Sequence, residues 1–124
     1  MNIREEILSN VSKIVIKIGT RVLTNQDGLV DKNRIMELSK QVVKLRLKGF
    51  SVVIVSSGSI GAGISALGLQ KRPSSLPELQ AAAAIGQGKL IEVYNECFKK
   101  HGYHAAQLLL TRQDFEDRQR YLNT

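Results

Sequence analysis

The chain lacks tryptophan, and aromatic residues of all kinds make up only 5% of its 124 positions. Proteins that bind single-stranded nucleic acid usually stack bases on aromatic side chains that lie among basic residues. Here lysine and arginine are spread along the chain, and no basic run with interleaved aromatics occurs. We therefore interpret the net charge of +7 as solvated helix faces and expect no nucleic-acid binding through this portion.

Cysteine and long apolar runs are also scarce. The single cysteine, Cys97, cannot form an internal disulfide, and its apolar position in a helical pattern is typical of a buried thiol. No apolar run is long enough to cross a bilayer, and Arg4, Glu5 and Glu6 stand where a signal peptide would be apolar. We expect a cytoplasmic protein that does not enter a membrane.

Strand and helix signals alternate in the first half of the chain. Residues 13–18 (KIVIKI) are rich in β-branched side chains and predict a strand. A helical period then runs from Asp31, a plausible N-cap, to Gly49, and residues 51–56 (SVVIVS) predict a second strand. The second strand shows no alternation, which is typical of a strand covered on both faces. This order predicts an α/β fold with a parallel sheet.

A right-handed crossover between parallel strands places their C-terminal ends at one edge of the sheet. Gly19 and Gly58, which follow the two strands, should therefore open onto the same edge. Open α/β folds bind their ligands at such edges.

The second half predicts two helices, a strand and a last helix. The small residues of 58–68 favour a helix start, and the helix from Pro77 carries alanines and glycines that indicate close helix packing. Residues 107–110 predict a third buried strand, and Thr111 caps a last helix running toward Asn123. Three parallel strands would leave two unprotected edges, so we expect residues 1–124 to be the N-terminal portion of a larger domain.

Lys17 is the first candidate for chemistry, because it ends an otherwise apolar strand. Side chains alternate along a strand, so Lys17 should point away from Ile16 and Ile18, with its ammonium available to an anion. A lysine that only protects a strand edge from aggregation fits the local sequence equally well. Gly19 would let a phosphate approach the backbone and Thr20 adds a hydroxyl, although a glycine in such a turn is as often conformational.

Ser57, Gly58 and Ser59 follow the second strand and offer hydroxyl and amide donors suited to a carboxylate or a phosphate. Taken alone they resemble an ordinary loop. Two other glycine-containing segments do not match nucleotide-binding motifs. Residues 61–63 lack the third glycine of a dinucleotide-binding fingerprint, and residues 88–89 lack the upstream glycine of a P-loop. His101 and His104 have no nearby cysteine or acidic cluster, so we expect no metal site formed by side chains.

Four segments together resemble the glutamate 5-kinases of the amino-acid kinase superfamily, in the same order and spacing: KIVIKIGTRVL, VVIVSSGSIGAG, LPELQAAAAIGQGKL and QLLLTRQDFEDRQRYLN. The resemblance covers nearly the whole chain from Ser12 onward, and the last two segments separate it from other kinases of that superfamily. It implies a three-layer α/β/α sandwich around a mainly parallel sheet, of which this chain is the N-terminal portion.

The resemblance also implies an activity, the ATP-dependent phosphorylation of the side-chain carboxylate of L-glutamate, with Mg²⁺ held mainly by the nucleotide phosphates. It places Lys17 at the ATP phosphates as a catalytic residue, Gly19 and Thr20 in the phosphate loop, and Ser57, Gly58 and Ser59 at the substrate. It further implies a homo-oligomer and a role in proline biosynthesis. Another acceptor, or a non-catalytic anion-binding module, remains an alternative, and we expect residues 1–124 alone to be inactive.

Overall fold

The sheet of the computed structural model, which describes residues 2–124, consists of two parallel strands, β1 (Lys13–Ile18) and β2 (Ser51–Ser56). Their register pairs Lys13 with Ser51 and Ile18 with Ser56. Seven helices accompany the strands in the described residues: α1 (Ile3–Ser9), α2 (Thr20–Leu23), α3 (Lys32–Leu47), α4 (Ser59–Leu67), α5 (Leu76–Lys99), α6 (Arg112–Glu116) and α7 (Arg118–Asn123). Across residues 2–124, no helix combines the length and the apolar character that crossing a membrane requires.

Local capping interactions set the helix boundaries as the sequence predicts. The Asp31 side chain accepts a hydrogen bond from the Asn33 N–H at 2.9 Å and begins α3, the crossover helix. Gly49 follows the end of α3 with a φ of 91°, a conformation that favours glycine. Ser75 caps α5 in the same way, by accepting from the Glu78 N–H.

The core lies between one face of the sheet and helices α3 and α5. Ile18 points into it from β1, while Ile35 of α3 and Cys97 of α5 are fully buried. The predicted buried thiol is thus confirmed, and burial raises the pKa of Cys97, which favours the protonated thiol. The buried residues of this cluster are Ile18, Leu23, Ile35, Val42, Val43, Ala62, Leu90, Tyr94, Cys97 and Phe98.

The opposite face of the sheet is open in the part of the chain that the structure describes. Val15 is 67% exposed, and Val53 and Val55 of β2 are 56% and 50% exposed. The prediction that both faces of β2 are covered is therefore wrong for residues 2–124. Those residues supply the parallel sheet and one layer of helices, in agreement with an α/β fold.

The predicted third strand at residues 107–110 is not formed. This segment has no regular secondary structure, and Leu108 and Leu109 are 73% and 72% exposed. A side-chain hydrogen bond of 2.9 Å from Gln87 to Gln107 holds it along α5. A short, mostly apolar segment such as 107–110 is compatible with a strand but does not determine one. A strand also requires a neighbouring strand to complete its ladder of hydrogen bonds.

The last predicted helix is divided into α6 and α7 at Asp117. The backbone of Asp117 is extended, with φ −85° and ψ 120°, and its side chain accepts from the Arg120 N–H at 2.9 Å. Aspartate favours this capping role over a position inside a helix, which explains the break. The predicted start is confirmed, since the Thr111 N–H donates to the Asp114 carboxylate at 2.5 Å.

Helices α4 and α5 pack so closely that their contact requires residues without side chains. A methyl group built on Gly63 would lie 1.8 Å from the carbonyl oxygen of Ala82. One built on Gly86 would lie 1.6 Å from the carbonyl oxygen of Ser59. The close packing that the small residues of α5 predict is therefore confirmed, and the partner helix is α4.

We expect Gly86→Ala to destabilise the chain by roughly 1–3 kcal/mol or more, because the added methyl group would push α4 away from α5. Gly88 is the matched control, since it lies on the same helix and a methyl group there would meet no described atom within 4 Å. Gly88→Ala should stabilise the chain by about 0.5–1 kcal/mol through helix propensity. Urea denaturation of both variants tests the packing, and equal effects would contradict it.

Candidate active site

A backbone hydrogen bond joins the two loops that the sequence singles out. The Ser57 N–H donates to the Ile18 carbonyl oxygen at 2.9 Å and extends the ladder between β1 and β2 by one residue. Gly19 and Thr20 therefore follow β1 at the edge where Ser57, Gly58 and Ser59 follow β2. The structure brings the predicted residues of both loops to the same edge of the sheet.

Lys17 lies on the open face of the sheet, opposite the core. Its strand alternates between exposed and covered residues, and Ile16 and Ile18 lie on the covered side. In the register of the sheet Lys17 stands beside Val55, whose side chain is also exposed. The predicted orientation of Lys17 is confirmed, and its ammonium group can meet an anion that approaches over the open face.

Neither a left-handed backbone conformation nor a crowded neighbourhood requires a glycine at position 19. Its φ is −79°, a value open to any residue, and a methyl group built there would meet nothing within 4 Å among the described residues. The conformational alternative is therefore not supported. The uncrowded backbone at Gly19 fits the close approach of a ligand such as a phosphate group.

Arg34 of α3 fixes the short helix that follows Gly19. Its Nη1 atom donates to three carbonyl oxygens at the end of α2, those of Arg21, Val22 and Thr24, at 3.1, 3.3 and 2.9 Å. A guanidinium at a helix C-terminus also complements the negative end of the helix dipole. The sequence analysis missed this contact, because an arginine on the polar face of an amphipathic helix looks like any solvated residue.

A hairpin-like loop joins α2 to α3 and contacts α4. Thr24 and Val30 form an antiparallel bridge, and the Asn25 side chain accepts from the Asp27 and Leu29 N–H groups at 3.0 Å. A methyl group on Gly61 would lie 2.7 Å from the Gly28 carbonyl oxygen, so this loop touches the helix that begins the second site loop.

Gly58 takes a backbone conformation that other residues adopt at a cost. Its φ is 108° and its ψ is 0°, and it directly precedes α4. A methyl group there would touch Leu23 and Leu90 at 3.5 and 3.8 Å, so the turn also lies against the core. In α4 the first helical hydrogen bond runs from Ala62 to Gly58, which leaves the earlier N–H groups without helical acceptors, as at any helix start.

Two further residues support the second loop, and the sequence analysis assigned them no role. The hydroxyl groups of Ser56 and Tyr94 are 2.8 Å apart, and the Ser56 hydroxyl also donates to the Ser57 carbonyl oxygen at 2.9 Å. Tyr94 is only 5% exposed, and burial raises its pKa. No local signal links these positions, because they lie on β2 and α5 and meet only in the folded chain.

Carboxylates are absent from both loops, at residues 19–20 and 57–59. Across residues 2–124 no three side chains of histidine, cysteine, aspartate or glutamate cluster together. Residues 19–20 and 57–59 contribute hydroxyl and backbone groups only. The donor set at this edge fits an anionic ligand better than a bare cation.

Comparison with known proteins identifies the fold family. The family model described as the amino acid kinase family matches residues 12–124. The chain belongs to the amino acid kinase family. The predicted α/β class with a parallel sheet is confirmed, and both site loops of this amino acid kinase chain lie within the matched residues.

Curated relatives of this amino acid kinase carry the name glutamate 5-kinase, which confirms the resemblance that the four segments indicate. The protein of Clostridium acetobutylicum is 45% identical over 123 residues, covering 99% of this chain and 46% of the relative. That of Caldanaerobacter subterraneus is 50% identical over 111 residues, covering 90% of this chain and 30% of the relative. That of Nitrosospira multiformis is 46% identical over 119 residues, covering 96% of this chain and 32% of the relative. The chain thus spans from 30% to 46% of these relatives' lengths.

Proposed function

We propose that this chain supplies the phosphate loop and the acceptor loop of a kinase that transfers the γ-phosphoryl group of ATP to the side-chain carboxylate of L-glutamate. The observation that carries the proposal is the hydrogen bond of 2.9 Å between Ser57 and Ile18, which sets the two loops side by side next to Lys17. The relatives named glutamate 5-kinase support glutamate as the acceptor. The product, γ-glutamyl phosphate, would serve proline biosynthesis.

The residue types at this edge suit the chemistry of two reacting anions. A glutamate side chain has a pKa of roughly 4.3 and is already ionised near neutral pH, so the reaction needs no general base. The difficulty is that a carboxylate must attack an anionic phosphoryl group, which requires cationic stabilisation and in-line positioning. A lysine provides the cationic stabilisation, and hydroxyl and backbone N–H groups help to position the two anions. A carboxylate in either loop would repel both anions.

Each loop has a distinct part in the proposal. Lys17 stabilises the transferring phosphoryl group as its charge spreads, and the uncrowded backbone at Gly19, together with the hydroxyl and N–H of Thr20, holds phosphate oxygens. Ser57, Gly58 and Ser59 bind the glutamate. Mg²⁺, when bound to the nucleotide phosphates, neutralises part of their charge.

We expect Lys17→Ala in the complete enzyme to lower kcat on the order of 10²-fold or more, with a much smaller change in KM for glutamate. The complete enzyme here means this chain followed by the further residues that its longer relatives have. The physical reason is that the charge of Lys17 is needed most when negative charge moves onto the transferring group. Steady-state kinetics with hydroxylamine trapping of the acyl phosphate measures both constants.

The control for this variant is Lys13→Ala, because Lys13 is an exposed lysine at the opposite end of the same strand. It should leave kcat within about twofold of wild type. A Lys17→Ala enzyme within about threefold of wild type would exclude Lys17 from the catalytic role.

Ser57→Ala should chiefly raise KM for glutamate, because its hydroxyl binds the acceptor alike in the ground state and in the transition state. Ser51→Ala is a matched control, since Ser51 is an exposed serine at the other end of β2. Initial rates at varied glutamate and varied ATP separate the two Michaelis constants. A rise in KM for ATP without one for glutamate would reverse the assignment of the two loops.

Residues 1–124 alone should not phosphorylate glutamate. Lys17 of β1 contributes one cationic side chain and the two loops contribute neutral donors, whereas phosphoryl transfer between two anions needs positive charge from several directions. The purified chain, incubated with ATP, Mg²⁺, glutamate and hydroxylamine, gives the measurement, with the complete enzyme as positive control. Turnover near typical kinase rates of roughly 1–100 s⁻¹ would show that the chain has a complete active site.

A further inference from the structure

The hydrogen bonds around Ser56 have a direction that chemistry determines. A backbone carbonyl only accepts, so the single hydroxyl proton of Ser56 goes to the Ser57 carbonyl oxygen, 2.9 Å away. The Ser56 oxygen must then accept from the Tyr94 hydroxyl, 2.8 Å away. The result is a chain of two hydrogen bonds that runs from Tyr94 on α5 through Ser56 to the backbone of the acceptor loop.

This chain fixes one of the two peptide groups that flank Ser57. The carbonyl of Ser57 shares its plane with the Gly58 N–H, and the described chain contains no cis peptide bond. Holding the carbonyl oxygen on the side of Ser56 therefore sets the Gly58 N–H toward the other side. The peptide group before Ser57 is fixed separately, because the Ser57 N–H donates to Ile18 at 2.9 Å.

Ser56 and Ser57 are both exposed, but they point to opposite sides of the extended chain. The hydroxyl of Ser56 is hydrogen-bonded to Tyr94 on the helical side, and Ser57 is the next residue. With both neighbouring peptide groups held, Ser57 and the Gly58 N–H keep one relative arrangement. A carboxylate that binds the loop then meets donors that are already in place.

Tyr94 is a rigid anchor for this arrangement. Its side chain is 5% exposed and its ring stacks on Phe98 with centroids 6.4 Å apart. Burial raises the pKa of its phenol above the ordinary value of 10.0, so the hydroxyl keeps its proton at neutral pH and remains a donor. A buried tyrosine hydroxyl generally has a hydrogen-bonding partner, and here the partner is the residue next to the acceptor loop.

We propose that Tyr94 is a positioning residue for acceptor binding, acting through the Ser56 hydroxyl on the Ser57–Gly58 peptide group. This proposal rests on the proposed function, because it assumes that the loop binds the carboxylate acceptor. It assigns to the core helix α5 a role in acceptor affinity that is separate from its role in packing.

The first test is kinetic, in the complete enzyme. Tyr94→Phe and Ser56→Ala should each raise KM for glutamate about fivefold, the loss expected for one neutral hydrogen bond, and leave KM for ATP within about twofold. The double variant should be no worse than Ser56→Ala, because both residues act through one chain. Ser56→Thr keeps the hydroxyl and should restore the wild-type KM.

Tyr103→Phe is the matched control, because it also removes a tyrosine hydroxyl but at the other end of β2. The Arg46 guanidinium lies 5.9 Å from the centroid of the Tyr103 ring and donates to the Phe50 carbonyl oxygen, just before β2 begins. It should change neither constant. If Tyr94→Phe raises both Michaelis constants alike and lowers the melting temperature, Tyr94 has a structural role only and the proposal is wrong. An unchanged KM for glutamate in Ser56→Ala would overturn it as well.

The second test does not depend on activity and uses residues 1–124. The amide resonances of Ser57 and Gly58 should shift in Tyr94→Phe and in Ser56→Ala, and stay in place in Tyr103→Phe. Unchanged resonances in Tyr94→Phe would overturn the proposal even in an active enzyme. A wild-type enzyme that does not phosphorylate glutamate would overturn the proposed function instead, and the amide shifts would then still decide whether Tyr94 orders the loop.

Discussion

The contact between α4 and α5 is the constraint on which the rest of the site depends. Gly86 lies against the Ser59 carbonyl oxygen and Gly63 lies against that of Ala82, at separations that exclude even a methyl group. This contact sets where α4 begins, and Gly58 can then make its left-handed turn against Leu23 and Leu90. The acceptor loop is therefore placed by helix packing as much as by the strand that precedes it.

The phosphate loop depends on different interactions, which act from the other side. Arg34 donates to the carbonyl groups at the end of α2, and the hairpin-like loop from Thr24 to Val30 rests on α4 through Gly28. The two loops are thus joined by a backbone hydrogen bond between Ser57 and Ile18 and braced separately by α3 and α4. Lys17 precedes the phosphate loop on β1 and lies on the face of the sheet that the described helices leave open.

Much of this fold was predictable from local signals. The two strands, the Asp31 cap, and the side of β1 on which Lys17 lies all follow from short patterns, and the structure confirms them. The missing strand at 107–110, the uncovered face of β2 and the contacts of Arg34 and Tyr94 depend on what lies nearby in space. One sequence does not carry that information.

The family was also predictable, because four motifs in a fixed order are far more specific than any one of them. The roles of Lys17, Gly19, Thr20, Ser57, Gly58 and Ser59 stay predictions, as do the homo-oligomer and the cytoplasmic location. The open backbone at Gly19 supports one of these roles, because it removes the structural explanation for that glycine.

Under the proposed function, the left-handed turn at Gly58 has a consequence for how acceptor preference can change by engineering. The path of the backbone there is held by a glycine conformation, by a core contact and by the glycine-mediated helix packing behind it. Insertions or substitutions that move this path would lose stability before they gained a new substrate. A change of acceptor is therefore open mainly to the side chains at Ser57 and Ser59, which can vary while the turn that carries them stays fixed.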